Sequence, residues 1–486
     1  MSRRAWVLWV GLAVGCGGSD DKEMSGATDT GSPHGGSGDD GGSGGGGSGD
    51  DGGDSSDSGD TAEPDDCDTI ATFADGITPT TELHVAPDGS DGGTGTSDDP
   101  LTFAAALRAA TPGTAVRVHA GTYDGGLYFD GLQGSASAPI WVGGVEGEAT
   151  PVLSGANTGL QLSRAKYVVL HDLEVTGANY NGINLDDGGD YADAAATHHV
   201  VVRDVRIHNI GGDGNQDCLK LSGLRDFHVL DSSFSRCGGD LSGSGVDMVG
   251  CHAGTVARSH FFDLSANGVQ AKGGTADIRI ARNIFENTGD RGINMGGSTS
   301  FEYFRPPLST DSENAEAWRL QVESNLFIGS TAAVAYVGCV ECSVEHNTIV
   351  DPVRWIARIL RETSSDDTYT FAPPRDGVFA NNIVVFDRTT MSSSEDINIG
   401  GGTEPETFVF ENNLWYAHND PSTSTPSLPT TETGGVVGDD PLLQADYTLD
   451  ASSPAIGAGR SGTGVVAAHD GRCFGDPPAI GMHAAP

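Results

Sequence analysis

The fold of this chain is decided by Asn267 to Ser298: Asn267-Gly-Val-Gln-Ala-Lys272-Gly-Gly, then Asp277-Ile-Arg-Ile-Ala-Arg-Asn283-Ile-Phe-Glu-Asn287, then Arg291-Gly-Ile-Asn-Met-Gly-Gly297. Two short runs of different character alternate here, each closed by Gly or Asn. Side chains alternate between the faces of a strand, so each run predicts a short strand with one apolar face. The unit recurs on both sides, at the uneven intervals of a solenoid with loops of unequal length.

One class of run reads apolar-x-x-Asn/Asp/Ser. Instances are Val169-Leu-His-Asp172, Val201-Val-Arg-Asp204, Val229-Leu-Asp-Ser232, Ile280-Ala-Arg-Asn283, Val322-Glu-Ser-Asn325, Val344-Glu-His-Asn347, Phe379-Ala-Asn-Asn382 and Phe410-Glu-Asn-Asn413. Asn and Asp tolerate left-handed backbone, so this column predicts a stacked turn with a structural role. The second class reads Gly182-Ile-Asn-Leu-Asp186, Cys218-Leu-Lys-Leu-Ser222, Gly245-Val-Asp-Met-Val249, Gly268-Val-Gln-Ala-Lys272, Gly292-Ile-Asn-Met-Gly296 and Ala333-Val-Ala-Tyr-Val337. Alternation turns Ile183, Leu219, Val246, Val269, Ile293 and Val334 inward. Asn184, Lys220, Asp247, Gln270 and Asn294 then point outward in one column, and Asp186 and Lys272 in the next. The architecture expected is all-β: a parallel β-solenoid with a polar outer face.

Composition agrees. The chain has 486 residues, 72 of them Gly, and a net charge of −42. Such acidity excludes nucleic acid and anionic lipid surfaces as partners. Four lysines are present, and Lys166, Lys220 and Lys272 are the three beyond the amino-terminal region. Two of the three fall on the same outward face.

The amino terminus reads as an address. Arg3-Arg4 precede a short apolar run, Ala5 to Val14, too short to span a bilayer. It ends Leu12-Ala-Val-Gly-Cys16 and resembles the bacterial lipobox. That resemblance implies cleavage before Cys16, acylation of Cys16, and export to the cell envelope with the acyl chains as the sole membrane anchor. The expected division is a signal peptide over 1–15, a Gly/Ser/Asp tether over 16–66 that has almost nothing to bury, an amino-terminal cap and first coil over 67–124, the solenoid over 125–439, and a carboxyl-terminal cap over 440–486. A monomer is expected.

Seven cysteines follow Cys16. In an exported chain they predict disulfides. Cys339 and Cys342 flank one tight turn and pair locally or ligate zinc; no second pair at metal spacing follows. One pair is expected among Cys218, Cys237 and Cys251.

Residues 83–123 hold Pro100 ahead of Leu101, Phe103, Ala104 and Leu107, which predicts a short amphipathic helix. This stretch resembles the amino-terminal cap of exported right-handed parallel β-helix proteins of the pectin-lyase-like kind. The end of the chain, Tyr447-Thr-Leu-Asp-Ala-Ser-Ser-Pro and Ala479-Ile-Gly, resembles their terminal segment and is expected to cover the far end of the core. The region around Lys272 is similar to family-six polysaccharide lyases and, more loosely, to family-nine pectate lyases. The resemblance implies a Lys base, here Lys272, that removes the carbon-five proton of a uronic acid while calcium or Arg neutralises the adjacent carboxylate.

That proton is weakly acidic, so its removal needs a positioned base and a nearby cation. Lys272, Arg291 and Lys220 are the catalytic candidates. Gln270, Asn294, Arg305, Tyr303 and Arg358 are the substrate-binding candidates, with Tyr303 and Arg305 on a long insertion (299–317) expected to wall the face. Asp247, Asp217 and Asp186 supply the oxygens that calcium prefers. Two features depart from the family-six pattern: Asn294-Met-Gly-Gly stands where an Arg is carried on the strand after the Lys, and Gln270 stands in place of an acidic pair. The reading expected is a polysaccharide lyase acting on an extracellular uronate polymer. A non-catalytic carbohydrate-binding or adhesion protein is the alternative, and a glycoside hydrolase the third.

Overall fold

The computed structural model describes Cys67 and residues 69–486, apart from 213, 240, 241 and 392. The expected signal peptide, the tether and Cys16 lie outside the described residues.

Strand follows strand with parallel pairing to the coil before and after it. Ten strands form one sheet, numbered here β1 (Leu127–Asp130), β2 (Thr158–Ser163), β3 (Asn181–Asp186), β4 (Leu219–Ser222), β5 (Ser244–Val249), β6 (Asn267–Lys272), β7 (Arg291–Gly296), β8 (Ala332–Val337), β9 (Trp355–Leu360) and β10 (Ile397–Ile399). The other strands join in a second sheet of 24. A typical coil gives that sheet two short strands, such as Thr275–Ala281 and Ile284–Glu286, separated by a residue with left-handed backbone. The chain is a parallel β-helix, as its alternation predicts.

Packing explains the residue pattern. Phe234, Phe261, Phe285 and Phe327 stack through the core with ring centroids 5.0, 4.8 and 4.9 Å apart. Gly245, Gly268 and Gly292, the second residues of β5, β6 and β7, lie against this stack. A Cβ on Gly268 would stand 2.5 Å from the Phe285 ring, so no larger residue fits. At the opposite corner Asn283, Asn325, Asn347, Asn382 and Asn413 are fully buried. Each of the first four donates its side-chain amide to the Oδ1 of the next at 3.0 Å. A buried amide left unpaired costs about 1–3 kcal/mol, and the ladder removes that cost coil by coil.

Two expectations about this corner need adjusting. The left-handed residues are Asp231, Arg258, Arg282, Ser324, His346, Asn381 and Asn412, each one position before the ladder residue. Asp172 and Asp204 are themselves left-handed. Val202, and not Val201, therefore pairs with Val229. Val169 and Val201 face outward and are covered by Ala74, Phe73 and Ile77 of the amino-terminal segment, which is why an apolar outward residue misled the alignment.

The helix expected near Pro100 is α1 (Phe103–Ala109), capped by Thr102 and burying Phe103 and Leu107. The carboxyl-terminal segment does not cover the far end of the core. It runs back along the side of the solenoid. Leu449, Ala455 and Ile480 pack on Ile383 and Leu414. Farther along, the Ser324 hydroxyl donates to the Ala467 carbonyl at 2.8 Å and Arg282 Nε to the His469 carbonyl at 3.1 Å. A disulfide then ties Cys473 to Cys67. Cys218–Cys237 and Cys339–Cys342 also pair. Cys251 stays free, and burial pushes its thiol up to about 12.

Candidate functional site

The outer face of the ten-stranded sheet carries the candidates. Backbone register places Asn184, Lys220, Asp247, Gln270, Asn294, Ala335 and Arg358 in one row across β3–β9. Asp186, Ser222, Val249 and Lys272 form the next row. Both rows are those the alternation predicts. A third row stands at the strand entrances, where Ser244, Asn267, Arg291, Ala332 and Trp355 pair in sequence.

At β4–β6 the charges close on one another. The Lys220 ammonium donates to Asp247 Oδ2, in close contact, and to Asp217 Oδ2 at 3.4 Å. Lys272 Nζ is 3.7 Å from the same Asp247 oxygen. Asp217 and Asp247 are essentially inaccessible to solvent. Burial alone would depress the Lys220 ammonium, but the two carboxylates outweigh it and hold Lys220 above the ordinary lysine value. Burial raises the Asp217 carboxyl to about 6, against the opposing pull of Lys220 and with a further push from Asp247. Burial pushes Asp247 the same way, yet Lys220 and Lys272 together bring it below the usual carboxylate range.

The two lysines thus differ. Lys220 is spent on two carboxylates. The Lys272 ammonium makes no hydrogen bond to a described residue, and its side chain is 13 % exposed. The chain around Lys272 is held from behind. Glu316, fully buried, accepts from Gly273 N at 2.8 Å, from Thr299 N at 2.9 Å and from the hydroxyls of Thr299 and Thr363. Gly297, at φ +151°, passes so close that a Cβ there would meet Gln270 Nε2 at 2.8 Å and Lys272 Cδ at 3.4 Å. The sequence reading missed Glu316. Its one signal is an acid beside the apolar Ala315 and Ala317 at the end of a long insertion.

The three carboxylates expected to hold calcium do not form a donor set. Asp186 lies on β3 and accepts from Gln161 at 2.8 Å, Asn184 at 3.2 Å and Gly188 N at 2.8 Å. Asp217 and Asp247 already share the Lys220 ammonium, which takes the place between them that a cation would fill. Among the described residues no three His, Cys, Asp or Glu side chains group as metal ligands.

Arg305 also departs from expectation. It is buried, and its guanidinium bonds Asp187 at 2.7 and 3.2 Å while lying 4.1 Å over the Tyr191 ring. It pins the insertion to an earlier coil and is not available to a substrate. Tyr303, 47 % exposed on the same loop, remains open.

At β7–β9 the face is cationic. Arg291 Nη2 donates to Glu362 at 3.0 Å, so Arg291 turns away from Lys272 toward β9. Arg358 Nε donates to Asn398 at 3.0 Å, and its guanidinium lies 4.3 Å over the Trp355 ring. Burial and the neighbouring Arg291 charge bring Arg358 down to about 10. Sequence reasoning found both arginines, and the same alternation puts Ala335 in the outward column, but it did not single out Trp355 at the strand entrance.

With this geometry in hand, residues 151–305 match the family model described as a right handed beta helix region, and the fold is a right-handed parallel β-helix. Among solved structures, pectate lyase Pel9A superposes with a TM-score of 0.54 at 15 % identity, covering 85 % of this chain and 98 % of that one. A glycoside hydrolase gives 0.50 at 10 % identity, covering 71 % and 99 %. An alginate lyase from Paenibacillus sp. str. FPU-7 gives 0.44 at 15 % identity, covering 68 % and 99 %. Likeness at such identity speaks to the fold. No curated protein sequence matches the chain.

Proposed function

We propose that this protein is a carbohydrate-active enzyme that cleaves a uronate-containing polysaccharide by β-elimination, with Lys272 as base. The observation that carries this reading is the division of labour between two lysines on one face. Lys220 compensates the buried Asp217 and Asp247 pair. Lys272, 3.7 Å from Asp247 Oδ2, makes no hydrogen bond to a described residue on the same outer face. A positioned amine whose hydrogen bonds are not spent within the molecule is free to meet a substrate proton.

In the reaction Lys272 Nζ takes the carbon-five proton. The electron pair of that C–H bond forms the carbon-four to carbon-five double bond, and the bond from carbon four to the glycosidic oxygen breaks. The departing oxygen takes a proton from solvent. The adjacent carboxylate, whose neutralisation the sequence reading assigned to calcium or Arg, meets no group of metal ligands among the described residues, and Lys220 and Arg291 are already paired with Asp217, Asp247 and Glu362.

A second reading has its own support. Asp217 is raised while Asp247 is lowered, and carboxylates driven apart in this way are the pattern of a hydrolase acid and base. Against it, both are shut off from solvent. The test is to incubate the purified protein with alginate, pectate and chondroitin, with and without chelator. The proposal expects ultraviolet absorbance from an unsaturated uronate that persists in chelator. New reducing ends without that absorbance support the hydrolase. Binding with no product at all supports the non-catalytic alternative. We also propose export and anchoring through Cys16; Cys16→Ser should then move the protein from the membrane to the soluble fraction.

A further inference from the structure

The face at β7–β9 has features that the Lys272 chemistry does not use. β8 presents Ala332 and Ala335 outward, between Arg291 and Asn294 on β7 and Trp355 and Arg358 on β9. Both alanines are outward-facing yet fully covered, so the long side chains of the flanking coils lie over them from either side. Arg291 and Arg358 therefore approach each other across a floor of two methyl groups. The influence of the Arg291 charge on Arg358 reflects that approach.

This cationic group is only partly compensated. Arg358 forms no ion pair with a described carboxylate; its one side-chain partner is the neutral Asn398. Arg291 has one partner, Glu362. Arg354, exposed, lies 4.0 Å over the Trp355 ring, and Asp290 is the other acid acting on Arg358. Three guanidiniums thus face two carboxylates in a chain whose net charge is −42. Donors are also left over. Arg291 Nε and Trp355 Nε1 are buried without a hydrogen-bond partner, and Trp355 is 92 % buried by its 8 % exposure. Buried unpartnered donors are rare and costly, and an acceptor supplied by a ligand satisfies them.

We infer that Arg291, Trp355 and Arg358 form a carboxylate-binding subsite for a second acidic sugar of the same chain. The inference rests on the uronate reading above and extends it. β9 lies three coil steps beyond the strand of Lys272, about 14 Å along the axis at the usual strand spacing. That is more than one sugar ring, so the sugar bound at Arg358 is not the one that loses its proton. The substrate class that follows is a polymer with repeated carboxylates, lying along the solenoid axis across β6–β9. A polymer with an isolated acid would leave one of the two places empty.

The test measures binding of a polyuronate, and of the same polymer with its carboxyls reduced to alcohols, to the full protein carrying Lys272→Ala, so that nothing is consumed. Arg358→Gln added to that background should weaken polyuronate binding by about ten-fold or more, as loss of a charge-assisted bond implies. It should leave binding of the reduced polymer unchanged. Arg358→Lys should recover only part of the affinity, because it restores charge without the planar fork. Thermal melts verify that each variant folds. Equal polyuronate binding with and without Arg358, or equal loss for the reduced polymer, overturns the inference, as does failure of every acidic polymer to bind. With Lys272 intact, Arg358-dependent binding without any unsaturated product would instead sink the lyase reading and leave this subsite standing. Product formation indifferent to Arg358→Gln would do the reverse.

Discussion

Two halves of one sheet face carry similar residue types and use them differently. On β4–β6 the cations and carboxylates are closed on one another, buried, and set against the core. On β7–β9 the cations lie over small residues and outnumber their acids, although the Arg291 side chain is only 14 % exposed. The same register rows thus hold a closed charge cluster at one end and a partly compensated cationic group at the other. A charged residue in an outward column is not evidence of function by itself. What matters is whether its charge is already spent inside the molecule. By that criterion Lys220 belongs to the scaffold and Arg358, whose hydrogen-bond partner is neutral, does not, while Lys272 and Arg291 stand between, each with one carboxylate, Asp247 at 3.7 Å and Glu362 at 3.0 Å.

The comparison breaks first at Asp247. Asp247→Ala leaves Lys220 buried with Asp217 alone, and removal of one partner from a buried ion pair costs about 3–5 kcal/mol. Urea unfolding should show a loss of that size. A variant as stable as the parent would mean that the cluster is not a scaffold. On the opposite corner, Asn347→Ala interrupts the amide ladder between Asn325 and Asn382 and should cost about 1–3 kcal/mol for each group left unpaired. Turnover per folded molecule should not change.

Asp217 gives a pH signature. Its folded value, about 6, is above the 3.8 of a free aspartate. A raised acid stabilises the fold fully below the unfolded value and loses that contribution as pH rises through the folded one. Each unit of displacement corresponds to about 1.4 kcal/mol. Stability of the parent relative to Asp217→Asn should therefore fall between about pH 4 and pH 6. A flat difference across that window would remove Asp217 from the buried cluster. Smallest of all should be the stability effect of Arg358→Gln, about 1 kcal/mol or less, since its contacts are one hydrogen bond and a ring. A large loss there would move Arg358 to the scaffold side of the comparison.

Much of this was legible in the residues. Period-two alternation gave the strands, their inward columns and the outward rows with Lys220, Asp247, Gln270, Asn294 and Lys272, because strand geometry leaves side chains two choices. The Asn column was legible because a buried amide ladder demands one residue type repeatedly. What alternation cannot carry is where long segments go. Arg305 looked available until its partner proved to be Asp187, 118 residues earlier. The carboxyl-terminal segment looked like a lid and is a strap along the side. Glu316, which holds the Gly273 and Thr299 backbones, reaches the site through an insertion with no repeat to align it. The calcium expectation counted carboxylates without asking whether an internal ammonium already served them. Ala335 falls in the outward column by the same alternation, but neither it nor Ala332 was given a role, because small residues carry no chemistry, although their size is what lets the arginines converge.

The most direct test of the account is turnover by Lys272→Ala on whichever uronate polymer the native protein degrades. Loss of a general base lowers the rate by about 10²-fold or more. The account predicts that loss in a variant that still unfolds cooperatively, and no rescue by Lys272→Arg, which cannot be deprotonated. Activity within a few-fold of the parent in either variant would contradict it.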